Sequence, residues 1–200
     1  MAPALSNLTF MLVCAVVLML FFTRAASHHT ILPILGAGDK VGLSVGQLGV
    51  AFSIISLMNM LMTVPAGMLS DHYGRKAVIV PGILLDAASL VMFSFSRGFG
   101  AFVGAGVLMG LGSGLANPIT TAYGADMARR SNIGITMGLL RTFGDIGYFV
   151  GPVLLGWIAD RSGNESALLV NAGLLILVMV LLAVAAKETV TRRQGSRGSV

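Results

Sequence analysis

The chain has 200 residues, of which 56% are hydrophobic and only 10% charged. A soluble domain carries about 25% charged residues, so this chain lacks the polar surface needed to stay dissolved and reads as a lipid-embedded protein. The net charge of +5 does not mark a nucleic-acid binder: four of the 13 basic residues lie in 187–200, after the last apolar run, where basic residues orient spans in the bilayer. The single cysteine, Cys14, lies in an apolar run and excludes both a disulfide framework and a cysteine metal cluster.

A helix needs about 20 apolar residues to cross the hydrocarbon core. Six segments qualify, at 9–35, 45–69, 77–96, 99–123, 134–158 and 167–186. The predicted organisation is an all-α membrane protein: a tail at 1–8, a six-helix transmembrane domain at 9–186 and a basic tail at 187–200, expected to be disordered. Pro33, Pro65, Pro81, Pro118 and Pro152 fall in or at the ends of the spans, as tolerated where neighbouring helices cover the freed carbonyls. On one side lie Arg75, Lys76, Arg129, Arg130, Lys187, Arg192, Arg193 and Arg197, and on the other only Lys40, Arg97 and Arg161. That asymmetry predicts a multi-pass protein of the cell membrane with both termini and the 71–76 turn in the cytoplasm. No positive region precedes the first apolar run, so it reads as a span and not as a cleaved leader.

The first span is interrupted by Arg24, His28 and His29. An Arg at the bilayer centre costs ~3 kcal/mol on insertion scales. Nine Leu, Val and Phe residues between Phe10 and Phe22 return roughly 3–5 kcal/mol, so the segment inserts with Arg24 inside. Arg24 and His28, four apart, share a helical face. If that face lines a cavity, Arg24 binds an anionic group and a histidine takes up a proton; the alternative is a helix ending near Thr23, with these residues in a watery loop.

The second and third spans are joined by Gly67-Met68-Leu69-Ser70-Asp71-His72-Tyr73-Gly74-Arg75-Lys76, a hairpin with charges only at its tip. Glycines there permit a tight turn, and the Asp71 carboxylate is suited to accept hydrogen bonds from the N-terminus of a neighbouring helix. Asp86 sits halfway along the third span without a partner on its own helix, and a lone carboxylate in apolar surroundings is suited to carry a proton. On the fourth span Gly106, Gly110 and Gly114 repeat at four-residue spacing, as in closely packed helices. On the fifth, Arg141 and Asp145 are four apart and read as a pair, or Asp145 as a proton or substrate site. Gly147 and Gly151 lie one turn apart, Pro152 removes a backbone donor and Gly156 follows. Gln47, Asn59, Asn117 and Tyr123 are further polar span residues, and Asn164 opens a glycosylation sequon.

The 67–76 hairpin closely resembles the signature loop of the major facilitator superfamily of secondary transporters, written G-x-L-a-D-r-x-G-R-R/K. Gly67, Leu69, Asp71, Gly74, Arg75 and Lys76 fall in place, and His72 departs from it. Gly147-x-x-x-Gly151-Pro152 with Gly156 is similar to the glycine-proline motif of facilitator antiporters, and the fourth span looks like the glycine-rich fourth helix of a six-helix repeat. Family members have twelve helices in two repeats, so the chain looks like one half. Small residues near Gly104 and Gly106, where N-terminal halves usually carry an arginine, and the stretch 141–145, which resembles an eleventh helix, favour the C-terminal half. The resemblance implies that Gly67, Asp71, Gly74, Arg75 and Lys76 form a conformational latch, that Gly147, Gly151, Pro152 and Gly156 form a pliable helix, and that third helices lie outside the pathway, which weakens Asp86 as a site.

No phosphate-binding loop, HExxH, paired cysteines or nucleophile elbow occurs, so no catalytic residues, metal or cofactor are expected. The expected function is alternating-access transport of a small solute within a twelve-helix assembly, with proton-coupled efflux of a drug or metabolite as the form the motifs lean toward. The expected partners are the lipid bilayer, a small-molecule solute and a second six-helix half from the same gene, a split partner or a second copy. The alternative is a membrane interaction or regulatory subunit without transport of its own, or a truncated inactive fragment.

Overall fold

The computed structural model describes residues 8–128 and 133–186; of the tail expected at 1–8 only Leu8 is described, as the first residue of a helix, and the tail expected at 187–200 and the basic pair Arg129 and Arg130 lie outside the described residues. Among the described residues, six helices are long and apolar enough to cross a membrane: α1 Leu8–Ala37, α2 Val45–Tyr73, α3 Arg75–Ser94, α4 Phe99–Asp126, α5 Ile133–Ser162 and α6 Asn164–Ala185. Each predicted span corresponds to one helix, and most run beyond their apolar cores. At the start of α2, Ser44 accepts from the Gln47 amide while the Gln47 side chain accepts from Ser44 N–H, so two otherwise unpaired donors are satisfied together.

Helix α1 does not end near Thr23. It continues through an eight-residue π-helical stretch, Arg24–Ile31, before the α-helical turns of Leu32–Ala37. Helix α2 extends past the expected span end to Tyr73, so Asp71 and His72 belong to its last turn and not to a loop. The hairpin collapses to one non-helical residue, Gly74, at φ 100°, a conformation that only glycine adopts without strain.

Helix α4 packs along α3 and α2, α1 packs along α5, and α6 lies against α3 and α1. Exchanging α1 with α4, α2 with α5 and α3 with α6 maps these pairings onto one another. Helices three apart run in opposite directions, so the bundle has the pattern of two inverted three-helix units.

The tightest crossings are made by glycine. A Cβ on Gly112 would stand 2.6 Å from Asp86 N and 2.8 Å from Gly82 O, and one on Gly82 would stand 2.9 Å from Ala116 N, so α3 and α4 touch backbone to backbone. On the other face of α4, Gly106 meets Ile55, Gly110 meets Met58, and Gly114 meets Asn59 and Met62. Gly147 and Gly151 of α5 sit on the backbone of α1 at Leu18 and Phe22. A Cβ on Gly67 or Gly156 would meet nothing within 4 Å. Close approach of this kind holds helices together in lipid, where apolar burial between helices gains little over contact with acyl chains.

These contacts separate two classes of glycine. Gly112→Val should destabilise the bundle by ~1–3 kcal/mol through overpacking, whereas Gly156→Ala should be neutral or stabilising by ~0.5–1 kcal/mol. Thermal unfolding of the two purified variants in detergent checks the ordering.

Candidate functional site: a polar cavity and a charged hairpin

A cavity of about 290 Å³ opens among α1, α2, α3 and α4. Helix α1 contributes Leu20, Thr23, Arg24, His28 and His29, α2 contributes Phe52, Ile55, Ser56 and Asn59, α3 contributes Asp86, and α4 contributes Ser113 and Asn117. Arg24 and His29 are exposed and His28 is half-buried. The continuous α1 therefore places all three on a cavity wall within the helix, not in a terminal loop.

The π-helical stretch explains how α1 does this with so polar a sequence. Its last turn is closed by Leu32 N–H donating to Ser27 O, and Thr30 Oγ1 donates to Ala25 O at 2.9 Å. In lipid every such carbonyl needs a partner. From the side of α6, Asn171 accepts from Thr23 Oγ1, itself at the cavity wall, at 3.1 Å and donates to Ser27 Oγ, which does not line the cavity, at 2.8 Å, with all three residues buried.

Asp86 is only 3% exposed, and its Oδ1 has no hydrogen-bond partner among the described residues. Asp86 is one of the residues that line the cavity. The reason is the Gly82–Gly112 crossing, which draws α3 against α4 until Asp86 reaches the lumen beside Ser113. Asn59 donates to Ser113 Oγ at 2.9 Å, tying α2 to α4 on the same wall. Of the other polar span residues, Asn117 also lines the cavity, Tyr123 is fully buried, and Gln47 belongs to the α2 cap.

Arg141 and Asp145 lie outside the cavity. They form an ion pair of 3.1 Å on α5, with side chains 70% and 56% exposed, and the guanidinium stands 5.6 Å from the Phe21 ring centroid. Pro152 lies inside α5 beside Gly151, at the contact with α1.

The hairpin forms a second constellation at one end of the bundle. Arg75, its side chain 14% exposed, donates from Nε to Asp126 Oδ2 at 2.8 Å and from NH1 to Ser70 Oγ and Asp71 Oδ1, each at 2.9 Å. Within this chain Asp71 therefore meets a guanidinium, where the sequence suggested a helix N-terminus. Lys76 Nζ donates to Ala183 O and Ala186 O at 2.8 and 2.7 Å, covering carbonyls at the end of α6 and placing a cation at the negative end of its dipole. Three helix ends are thus clamped by the two basic residues that follow Gly74. Asp126 escaped the sequence reading; its one available signal was an acidic residue closing the fourth span on the side of Asp71. At the opposite end Lys40 pairs with Glu165 at 2.6 Å.

Six helices long and apolar enough to cross a membrane, four of them lining a polar cavity, with a charged clamp at one end, define a polytopic helical protein. Residues 13–199 match the family model of the Major Facilitator Superfamily, and the chain belongs to that family. It is 28% identical over 143 residues to an uncharacterised MFS-type transporter of Methanocaldococcus jannaschii, covering 71% of this chain and 37% of the relative. It is 25% identical over 156 residues to the quinolone resistance protein NorA of Staphylococcus aureus, covering 77% and 40%. The crystal structure of the human organic anion transporter MFSD10 (TETRAN) shares the fold, with a TM-score of 0.75 at 19% identity over 86% of this chain and 40% of that one. The chain spans about two-fifths of the length of the relatives it matches.

The two carboxylates on Arg75 are not equivalent. Asp126→Ala should cost about 0.5–1.5 kcal/mol, since its side chain is 37% exposed and its partner Arg75 is 14% exposed. Asp71→Ala should cost only about 0.2–1 kcal/mol, because the Asp71 side chain is 71% exposed. Melting temperatures of the two variants in detergent check this order.

Proposed function

We propose that this chain is one six-helix half of a twelve-helix secondary transporter, and that it moves a small solute by alternating access once joined to a second half. The observation that carries this reading is the cavity itself. Arg24, His28, His29 and Asp86 gather at mid-span, where ionisable side chains are expensive and are kept for binding or proton transfer. A single half leaves Arg24, His29 and the Arg141–Asp145 pair exposed. Lipid is a poor cover for such groups, and a second half of the same protein, a split partner or another copy is a good one. The buried share of the most apolar stretch is 11% for α2 and 22% for α5, against 56% for α1 and α3. The faces of α2 and α5 are therefore the ones available to that half and to lipid.

In this reading the 71–76 hairpin lies on the cytoplasmic face of the cell membrane with both termini. Its clamp among α2, α3, α4 and α6 holds one end of the bundle together and yields as the halves rock. Gly147, Gly151 and Pro152 let α5 ride on α1 during that movement. Arg24 takes an anionic group of the solute, and Asp86 or a cavity histidine carries the coupled proton. The name of the Staphylococcus aureus relative and the glycine-proline motif favour efflux of a drug-like compound, with a quinolone as the first probe. The assignment to the C-terminal half expects the missing six spans upstream in the gene; spans found downstream reverse it.

Proteoliposomes test the assembly. The chain alone should give no saturable quinolone flux, and the chain joined to its second half should give saturable flux driven by a pH gradient. Saturable flux from the chain alone removes the need for a partner, and no flux from the assembled pair favours the regulatory alternative. In a working assembly, Asp86→Asn should reduce gradient-driven flux on the order of tenfold or more while solute exchange without a gradient persists; equal loss of both removes Asp86 from proton coupling. Asp71→Asn should slow turnover with insertion intact, and unchanged turnover counts against the latch.

A further inference from the structure

We propose that Asn171 is a positioning residue for the cavity: through Thr23 and Ser27 it holds the π-helical stretch of α1 in the register that turns Arg24 and His28 toward the lumen. The functional consequence rests on the reading of this cavity as the solute site; the structural claim does not.

Three observations converge. First, Asn171 is fully buried in α6, the span of highest mean hydropathy, 2.8. An amide there must find partners within the bundle, and both that it finds belong to α1. Second, those partners bracket Arg24. Thr23 precedes it, and Ser27 supplies the carbonyl that closes the last π-turn by accepting from Leu32 N–H. One side chain thus grips the beginning of the wide turn and the residue on which its end is built. Third, α1 is fixed on both sides of the stretch, by buried Phe10, Val13 and Val17 before it and buried Leu32 and Leu35 after it. A change in helical register must therefore be absorbed within 24–31.

A π-turn spends one more residue per hydrogen bond than an α-turn and is uncommon without local support. If the stretch relaxes to α-helix, its residues rotate about the axis of α1. His28, the residue adjoining Ser27, then leaves the cavity wall for the packed side of the helix. Positions on α4 do not take part in this rotation, so the two walls of one cavity respond differently to one substitution.

The test reads that difference in the full chain in lipid nanodiscs, with Cys14→Ala as background. Single cysteines are placed by His28→Cys or Asn117→Cys and labelled with a small water-soluble maleimide. Asn171→Leu should slow labelling at 28 on the order of tenfold relative to 117, as expected for loss of two buried hydrogen bonds. Ser27→Ala, which removes one of the two bonds and does not line the cavity, should give a smaller shift in the same direction and carries the test if the leucine variant does not fold. Unchanged labelling at 28, or equal changes at 28 and 117, would overturn the proposal, since general loosening of the bundle moves both. Because no flux is measured, failure here is separable from failure of the transport reading.

Discussion

Backbone contact at the Gly82–Gly112 crossing is the constraint on which the interior of this bundle depends. In hydrocarbon, apolar side chains on facing helices gain little over contact with lipid, so helices are held by how closely they approach. At Gly112 no side chain intervenes, and the α4 backbone lies within van der Waals reach of Asp86 N and Gly82 O. That approach carries the Asp86 carboxylate to the cavity. The same helix presents Gly106, Gly110 and Gly114 to α2, so α4 is a rod seated between two neighbours. The cavity is the space left where the third neighbour, α1, does not close in.

Helix α1 borders the cavity with its π-helical stretch, through Arg24, His28 and His29. Its polar middle departs from the α-helix, with the Ser27 carbonyl accepting from Leu32 N–H and the Ala25 carbonyl from the Thr30 hydroxyl, and is anchored from the α6 side by Asn171. Thr23 and Ser27 are paired with Asn171 of α6, and Arg24, His28 and His29 line the cavity.

The ends of the bundle follow a different rule. Beside water, charges cost little, and they serve to fasten helix ends to one another. Arg75 joins α3 to the ends of α2 and α4, and Lys76 covers the last carbonyls of α6. Asp71, Gly74, Arg75 and Lys76 fall within six positions of one another, which is why the motif is so readable in a linear sequence, although Asp126 and the α6 carbonyls they reach lie far along the chain.

The number of spans, their approximate limits, the family and the hairpin motif were all legible along the chain. Each depends on runs of apolar residues or on near neighbours: twenty apolar residues can only span, and a glycine between two helices can only turn. The order of residues also exposed Arg24, His28, His29, Asp86, Arg141 and Asp145 as too polar for their surroundings. What it left open was which of these share a space. Asp86 and Arg24 face one cavity, while Arg141 and Asp145 pair on an outer face; the four-residue spacing suggested the pair, but nothing along the chain brings Asp86 to Arg24. Asn171 and Asp126 passed unremarked because their partners lie 148 and 51 positions away. Only tertiary packing decides such matters, because the direction a span's side chain faces is set by its neighbours' backbones, at contacts distributed over the whole chain.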